Sequence, residues 1–204
     1  MSQSDNDKAN VLKTERTPLH NRTFDLKGFR RSDGCWDIEG EVLDVKQYDY
    51  VSSDGVLRKA GDPLHRMKVR LTVDASMTLK EIDASMLATP FVECLGGVGA
   101  LHELIGTSLS KGWRQEIDRV AGRTAGCTHV RELLVAMATV AFQTVAHDLS
   151  MQRKDRGEPL YPSDTPPPMF GQCIAWDFDG PVVRRIAPQF FGYKNLSGKP
   201  KDSD

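Results

Sequence analysis

Val130, Leu133, Leu134, Met137, Val140, Ala141 and Val145 recur at intervals of three and four. That spacing predicts a helix from Val130 to about Ser150 with one apolar face against a core. Beside that face, at the same helical spacing, run His129, Glu132, Ala136, Thr139, Gln143 and His147, a polar stripe with one certain charge. A solvated face would be richer in Lys and Glu. The stripe therefore reads either as hydrogen-bonded contacts between helix and sheet or as the wall of a polar pocket, with Cys127 and His129 at its N-terminal end.

Upstream the period changes from 3.6 to 2. Leu19 to Leu26 alternates as a first strand, Ser32-Asp33-Gly34 is a turn signal, and Trp36 opens a second strand, so the two make a hairpin. Trp36, Ile38 and Val42 share one face, whereas Leu43 and Val45 are apolar on the other parity; a β-bulge between Gly40 and Leu43 would reconcile them. Residues 49–63 carry Ser52-Ser53-Asp54-Gly55 and Gly61-Asp62-Pro63, a loop or short hairpin tip. Met67, Val69, Leu71 and Val73 then alternate strictly with Lys68, Arg70, Thr72 and Asp74, and His65 has the inward parity. Thr78 to Ala84 is a further strand, completing an antiparallel meander.

The second half is less regular. A short helix is expected around Gly99–Ile105. Ser110 is placed to cap a helix carrying Trp113, Ile117 and Val120 on one face and ending at Gly122. After the long helix, the prolines between Pro162 and Pro168 exclude regular structure. Cys173 to Phe178, Asp179-Gly180 and Val182 to Ile186 read as a C-terminal hairpin. The fold class expected is α+β: one antiparallel sheet packed against the long helix and its shorter neighbours. Residues 18–194 would form a single domain between disordered tails at 1–17 and 195–204.

Composition narrows the function. A net charge of −1, from 27 basic and 28 acidic residues, gives no bulk field to attract nucleic acid or an anionic membrane. Cys35, Cys94, Cys127 and Cys173 have no CxxC spacing, and read as reduced thiols of a cytoplasmic protein. No apolar run approaches membrane-spanning length. There is no GxxxxGK[ST], GxGxxG after a strand, GxSxG or HExxH, which removes the common nucleotide, serine and zinc-protease mechanisms.

What remains is acid/base chemistry. His65, His129, Glu39, Asp44 and Cys127 are the candidate catalytic groups, because histidine titrates nearest neutrality and a carboxylate can orient it. Cys127, at a helix start beside His129, is also a candidate nucleophile. No cofactor is expected; the alternative is a divalent metal on His65, His129, Glu132 and Glu39, two nitrogens and two carboxylates. Arg22, Arg30, Arg31 and Arg70 are candidates for holding a substrate carboxylate, and Trp36 and Gln143 for contacting an aromatic substrate.

Arg30-Arg31-Ser32-Asp33-Gly34-Cys35-Trp36-Asp37-Ile38-Glu39-Gly40, Asp44-x-Lys46, His65-Arg66-Met67, Gly126-Cys127-Thr128-His129 with Glu132-Leu133-Leu134, and Phe142-Gln143 together resemble a bacterial family, domain of unknown function 2889. The resemblance spans about Leu19 to Tyr193. It implies a cytosolic bacterial protein, with some members among genes of aromatic-compound catabolism, and it brings no mechanism. The function expected is thus a small-molecule lyase acting on an aromatic compound, of a retro-aldol or deformylating type that breaks a C–C or C–O bond. The alternative is a non-catalytic ligand sensor or partner-binding module. The expected partner is a small aromatic substrate, not nucleic acid or a membrane; homo-oligomerisation is left open.

Overall fold

The computed structural model describes residues 15–161 and 164–194. The expected tails lie outside that range except for residues 15–17, which are exposed and without secondary structure. Strands β1 (His20–Arg30), β2 (Trp36–Lys46), β5 (Pro63–Val73) and β6 (Leu79–Ala88) form an antiparallel sheet in the order β1-β2-β5-β6. Between β2 and β5 the loop makes a small hairpin of β3 (Tyr50–Val51) and β4 (Leu57–Arg58). Helices α1 (Trp113–Ala121), α2 (Thr128–Asp155) and α3 (Pro181–Ile186) complete the α+β fold, with 3₁₀ turns at Val92–Val98, Leu101–Leu104, Arg123–Ala125, Ile174–Trp176 and Pro188–Phe190.

The alternating pattern does what its parity requires. Trp36, Ile38, Gly40, Val42 and Asp44 are the inward positions of β2, and they oppose the inward positions of β5, with Ile38 facing Leu71 and Val42 facing Met67. The expected bulge between Gly40 and Leu43 is absent. The register instead shifts one step later, where Asp44 opposes His65 and Val45 opposes Pro63, so Leu64 is the extra residue. The inward face of β2 therefore runs unbroken to a carboxylate.

Helix α2 lies over the sheet at Gly40. A Cβ added there would come within 2.9 Å of Leu133 Cδ1 and Met137 Sδ, so this close approach requires glycine. Val130, Leu133, Leu134, Met137 and Ala141 are buried, and each leucine-sized side chain contributes about 1.5–3 kcal/mol when fully removed from water. The Trp113 indole N–H donates to the Leu134 carbonyl at 2.9 Å, tying α1 to α2. Helix α1 is preceded by Gly112 in the left-handed conformation, φ 73°, and Ser110 pairs with Ser108 at 2.9 Å instead of capping. By length and composition α2 is also apolar enough to cross a membrane, contrary to the run-length reading; in the first unit its Leu133 and Met137 approach the sheet at Gly40.

The chain divides into two compact units between Ala141 and Phe142, inside α2. The second unit has its own core of Phe170, Val183, Ala187 and Phe190, with Tyr161, Met169, Trp176 and Phe178 packed around it. The expected C-terminal hairpin is not formed. Pro181 starts α3 after an extended Gly180, because proline's fixed φ and missing N–H suit a helix's first turn and not a strand ladder.

Candidate functional site: one carboxylate and two imidazoles

Three elements of the first unit converge on Asp44, whose side chain is 1% exposed. Counted out from the turn at Asp33, the hairpin register places Arg22 of β1 directly opposite Asp44 of β2. The guanidinium closes a two-pronged pair, Nε to Oδ1 at 2.6 Å and Nη2 to Oδ2 at 2.7 Å, the geometry in which arginine binds a carboxylate most strongly. His20 adds an Nε2 approach of 3.4 Å to Oδ1.

On the other side of the carboxylate, His65 of β5 brings Nδ1 to 3.2 Å from Oδ2. His129, on the first turn of α2, brings Nε2 to 3.2 Å from the same oxygen. The two rings stack with centroids 3.7 Å apart and 26° between planes. Both histidines are largely buried, with 16% and 19% of their side chains exposed. The His65 approach is close but poorly aligned: Nδ1 is a buried nitrogen with no hydrogen-bonded partner among the described residues.

The electrostatics follow from burial. For Asp44, burial alone would raise the carboxyl's pKa. The hydrogen bonds and charge of Arg22, aided by His129 and His20, outweigh it and hold the group below the usual carboxylate range. For His65, burial dominates and lowers the pKa below 6.5 against the pull of Asp44. His129 is lowered by burial first, then by the charges of His65 and Arg22, again against Asp44. At neutral pH the cluster is thus an ionised carboxylate, a guanidinium and two neutral imidazoles.

A cavity of about 470 Å³ opens beside them, with His65, Met67, Glu93, Cys94, Cys127 and His129 on its wall. Cys127 Sγ is 3.7 Å from His129 Nδ1. The wall is held close by Gly97: a Cβ there would sit 2.8 Å from Cys127 Cβ, and its carbonyl accepts the Cys127 N–H at 3.3 Å.

The structure brings together Asp44, His65, His129, Cys127 and Arg22. It does not bring in the other sequence candidates. Glu39 and Glu132 are exposed, and Glu132 reaches the cluster only through its charge on Arg22. Arg31 pairs with Asp33 and Asp37, and Arg70 with Asp37, Glu81 and Asp83. Arg30 is exposed at the turn end of β1. Trp36 is 3% exposed, a core residue. Gln143 and His147 line a different cavity, of about 380 Å³, in the second unit. Of the polar stripe, only His129 joins the cluster. Arg22 serves Asp44 rather than standing open for a substrate carboxylate. Glu93, Cys94 and His20 were not singled out from sequence, since nothing in local spacing marks them.

The donor atoms of Asp44, His65 and His129 lie within 4.8 Å of one another, so the metal-capable set contains Asp44 in place of Glu39 and Glu132. Two imidazoles and a carboxylate suit zinc, iron or manganese. Arg22 opposes that use, because its fork occupies both Asp44 oxygens and would set a guanidinium against a divalent ion.

Fold and site together define an α+β protein with a buried acid/base cluster at the edge of a small cavity. The chain matches the family described as protein of unknown function (DUF2889) over residues 20–143, more than half its length, and belongs to that family. No curated protein matches it, and no solved structure matches it.

Proposed function

We propose that the protein is a small-molecule enzyme that moves protons at His65 and His129, with Asp44 orienting the imidazoles: a lyase that cleaves a carbon–carbon or carbon–oxygen bond of an aromatic compound. One observation carries this reading, the two largely buried imidazoles sharing one carboxylate oxygen at the wall of a cavity. Groups that titrate below 6.5 are neutral bases at physiological pH, and an ionised Asp44 stabilises whichever imidazole takes up a proton. His65 Nδ1 and His129 Nε2 face Asp44, which leaves His65 Nε2 and His129 Nδ1 as the exchanging nitrogens.

In a retro-aldol cleavage one imidazole takes the proton of a substrate hydroxyl. The C–C bond breaks, an aldehyde leaves, and the imidazolium just formed returns that same proton to carbon, directly or by way of the second imidazole stacked on it. Bonds and protons balance with no change of redox state, so these side chains need no added cofactor. The four free cysteines fit a reducing, cytoplasmic setting.

The test is turnover of a panel of aromatic acids and aryl alcohols, followed by mass spectrometry before and after treatment with EDTA. The reading expects an aldehyde and a shortened aromatic product, unchanged by the chelator. His65→Gln and His129→Gln should each lower turnover by roughly 10²- to 10⁴-fold, with the double variant barely worse than either single. Tight binding without product would favour a ligand sensor. Activity lost to EDTA and restored by a metal ion would make the histidines ligands.

A further inference from the structure

Cys127 has a chemistry that the proton-transfer reading does not use. Its thiol lies 3.7 Å from His129 Nδ1, and the opposite nitrogen of that imidazole lies 3.2 Å from Asp44. The order is nucleophile, base, orienting carboxylate, the arrangement in which a histidine takes the proton of an attacking thiol. Cys127 immediately precedes α2, and its carbonyl accepts the Arg131 N–H at 2.9 Å as the helix's first bond. The thiol thus belongs to the residue at the N-terminal end of α2, the end whose first-turn amides have no intrahelical partner and favour negative charge. Gly97 packs on the Cys127 backbone and fixes its position. Cys94 lines the same cavity, yet among the described residues no histidine hydrogen-bonds to its thiol.

We propose that Cys127 is a nucleophile that binds an aldehyde covalently, the carbonyl fragment that the lyase releases; only the source of that aldehyde rests on the lyase reading. Sγ attacks the carbonyl carbon while the S–H proton passes to His129 Nδ1. The C=O π pair moves to oxygen, and that oxygen takes the proton back from His129. The adduct is a hemithioacetal, isomeric with thiol plus aldehyde; nothing is oxidised or reduced, and the reverse steps release the fragment. Held this way, the aldehyde cannot add back to the larger product before that product leaves the cavity.

The experiment is alkylation of the full-length protein by iodoacetamide, with the rate at each cysteine read by peptide mass mapping, in the presence and absence of benzaldehyde. Cys127 should react about ten-fold or more faster than Cys94, and a folded His129→Gln variant should lose about that factor. Benzaldehyde should slow alkylation of Cys127 and leave the exposed Cys173 unaffected. A Cys127 no faster than Cys94, a rate unchanged in folded His129→Gln, or no protection by the aldehyde would each overturn the proposal. The comparison of Cys127 with Cys94 uses the wild-type protein, so it stands even where a variant does not fold. None of these readouts uses a lyase substrate: a reactive, aldehyde-protected Cys127 with no turnover would count against the lyase and leave the thiol assignment in place.

Discussion

At one end of the β1–β2 hairpin Arg31 holds Asp33 at 2.7 Å beside the turn; at the other, Arg22 holds Asp44 at 2.6 and 2.7 Å. The two arginines are separated by most of a strand, about 30 Å at roughly 3.3 Å per residue. Chemically the pairs are the same. Their surroundings differ at the carboxylate: the arginines are about equally exposed, 31% and 35%, but Asp33 is 51% exposed beside other charges, whereas Asp44 is 1% exposed and meets three imidazoles. Water screens the first pair and makes it nearly neutral to stability. Exclusion of water from the second makes every partner matter, because a buried carboxylate without its cation is costly. The same exclusion keeps the histidines neutral, so burial at one end of a hairpin turns an ordinary ion pair into a group of coupled acids and bases.

The largest expected effect removes the cation from the buried carboxylate. Arg22→Met leaves the buried Asp44 without its cation and should cost about 1–3 kcal/mol in a urea titration, since a third of Arg22 is exposed and solvent screens part of the loss, while Arg31→Met should stay within about 1 kcal/mol. Equal losses at the two ends would mean that burial does not separate them.

Acid comes next. The lowered folded-state values of His65 and His129 mean that below pH 6.5 the unfolded chain binds protons that the folded chain refuses. Stability is therefore full above about 6.5, the unfolded value, and falls as pH drops through the lowered folded values; Asp44, also lowered, adds a further loss below the carboxylate range. His65→Gln and His129→Gln should flatten the upper part of that fall in thermal melts taken from pH 7 to 5. A fall of undiminished slope in both variants would place its cause elsewhere in the chain.

The smallest effects belong to exposed carboxylates of the same elements. Glu39→Gln on β2 and Glu132→Gln on α2 should shift stability by no more than about 0.5 kcal/mol and leave turnover unchanged. A large loss of turnover from Glu39→Gln would bring that residue back into the chemistry.

Much of this contrast could be read along the chain. Parity from Trp36 puts Asp44 inward and Glu39 outward, and parity from Met67 puts His65 inward. Counting out from the turn pairs Arg22 with Asp44. What obscured the choice of carboxylate was Leu43 and Val45, apolar residues on the opposite parity that suggested a bulge before Asp44 when the shift comes after it. His129 was legible as a helix start, but its neighbours on the polar stripe were not separable from it. Spacing gives a face, and burial of that face depends on what the rest of the fold lays across it. The C-terminal unit was the least legible, because its core is an aromatic cluster on short turns, such as Phe170 against Trp176 at 4.7 Å, without a period of 2 or 3.6. Pro181, which weakens a strand, was the local sign of α3.

The most direct test of the shared carboxylate is an NMR titration of the His65 and His129 ring nitrogens in the wild-type protein and in Asp44→Asn. Both imidazoles should be neutral at pH 7, resist protonation below 6.5, and titrate in two separated steps because the first proton opposes the second. Removing the Asp44 charge should lower both further. Two independent titrations near 6.5, unchanged by Asp44→Asn, would contradict the account.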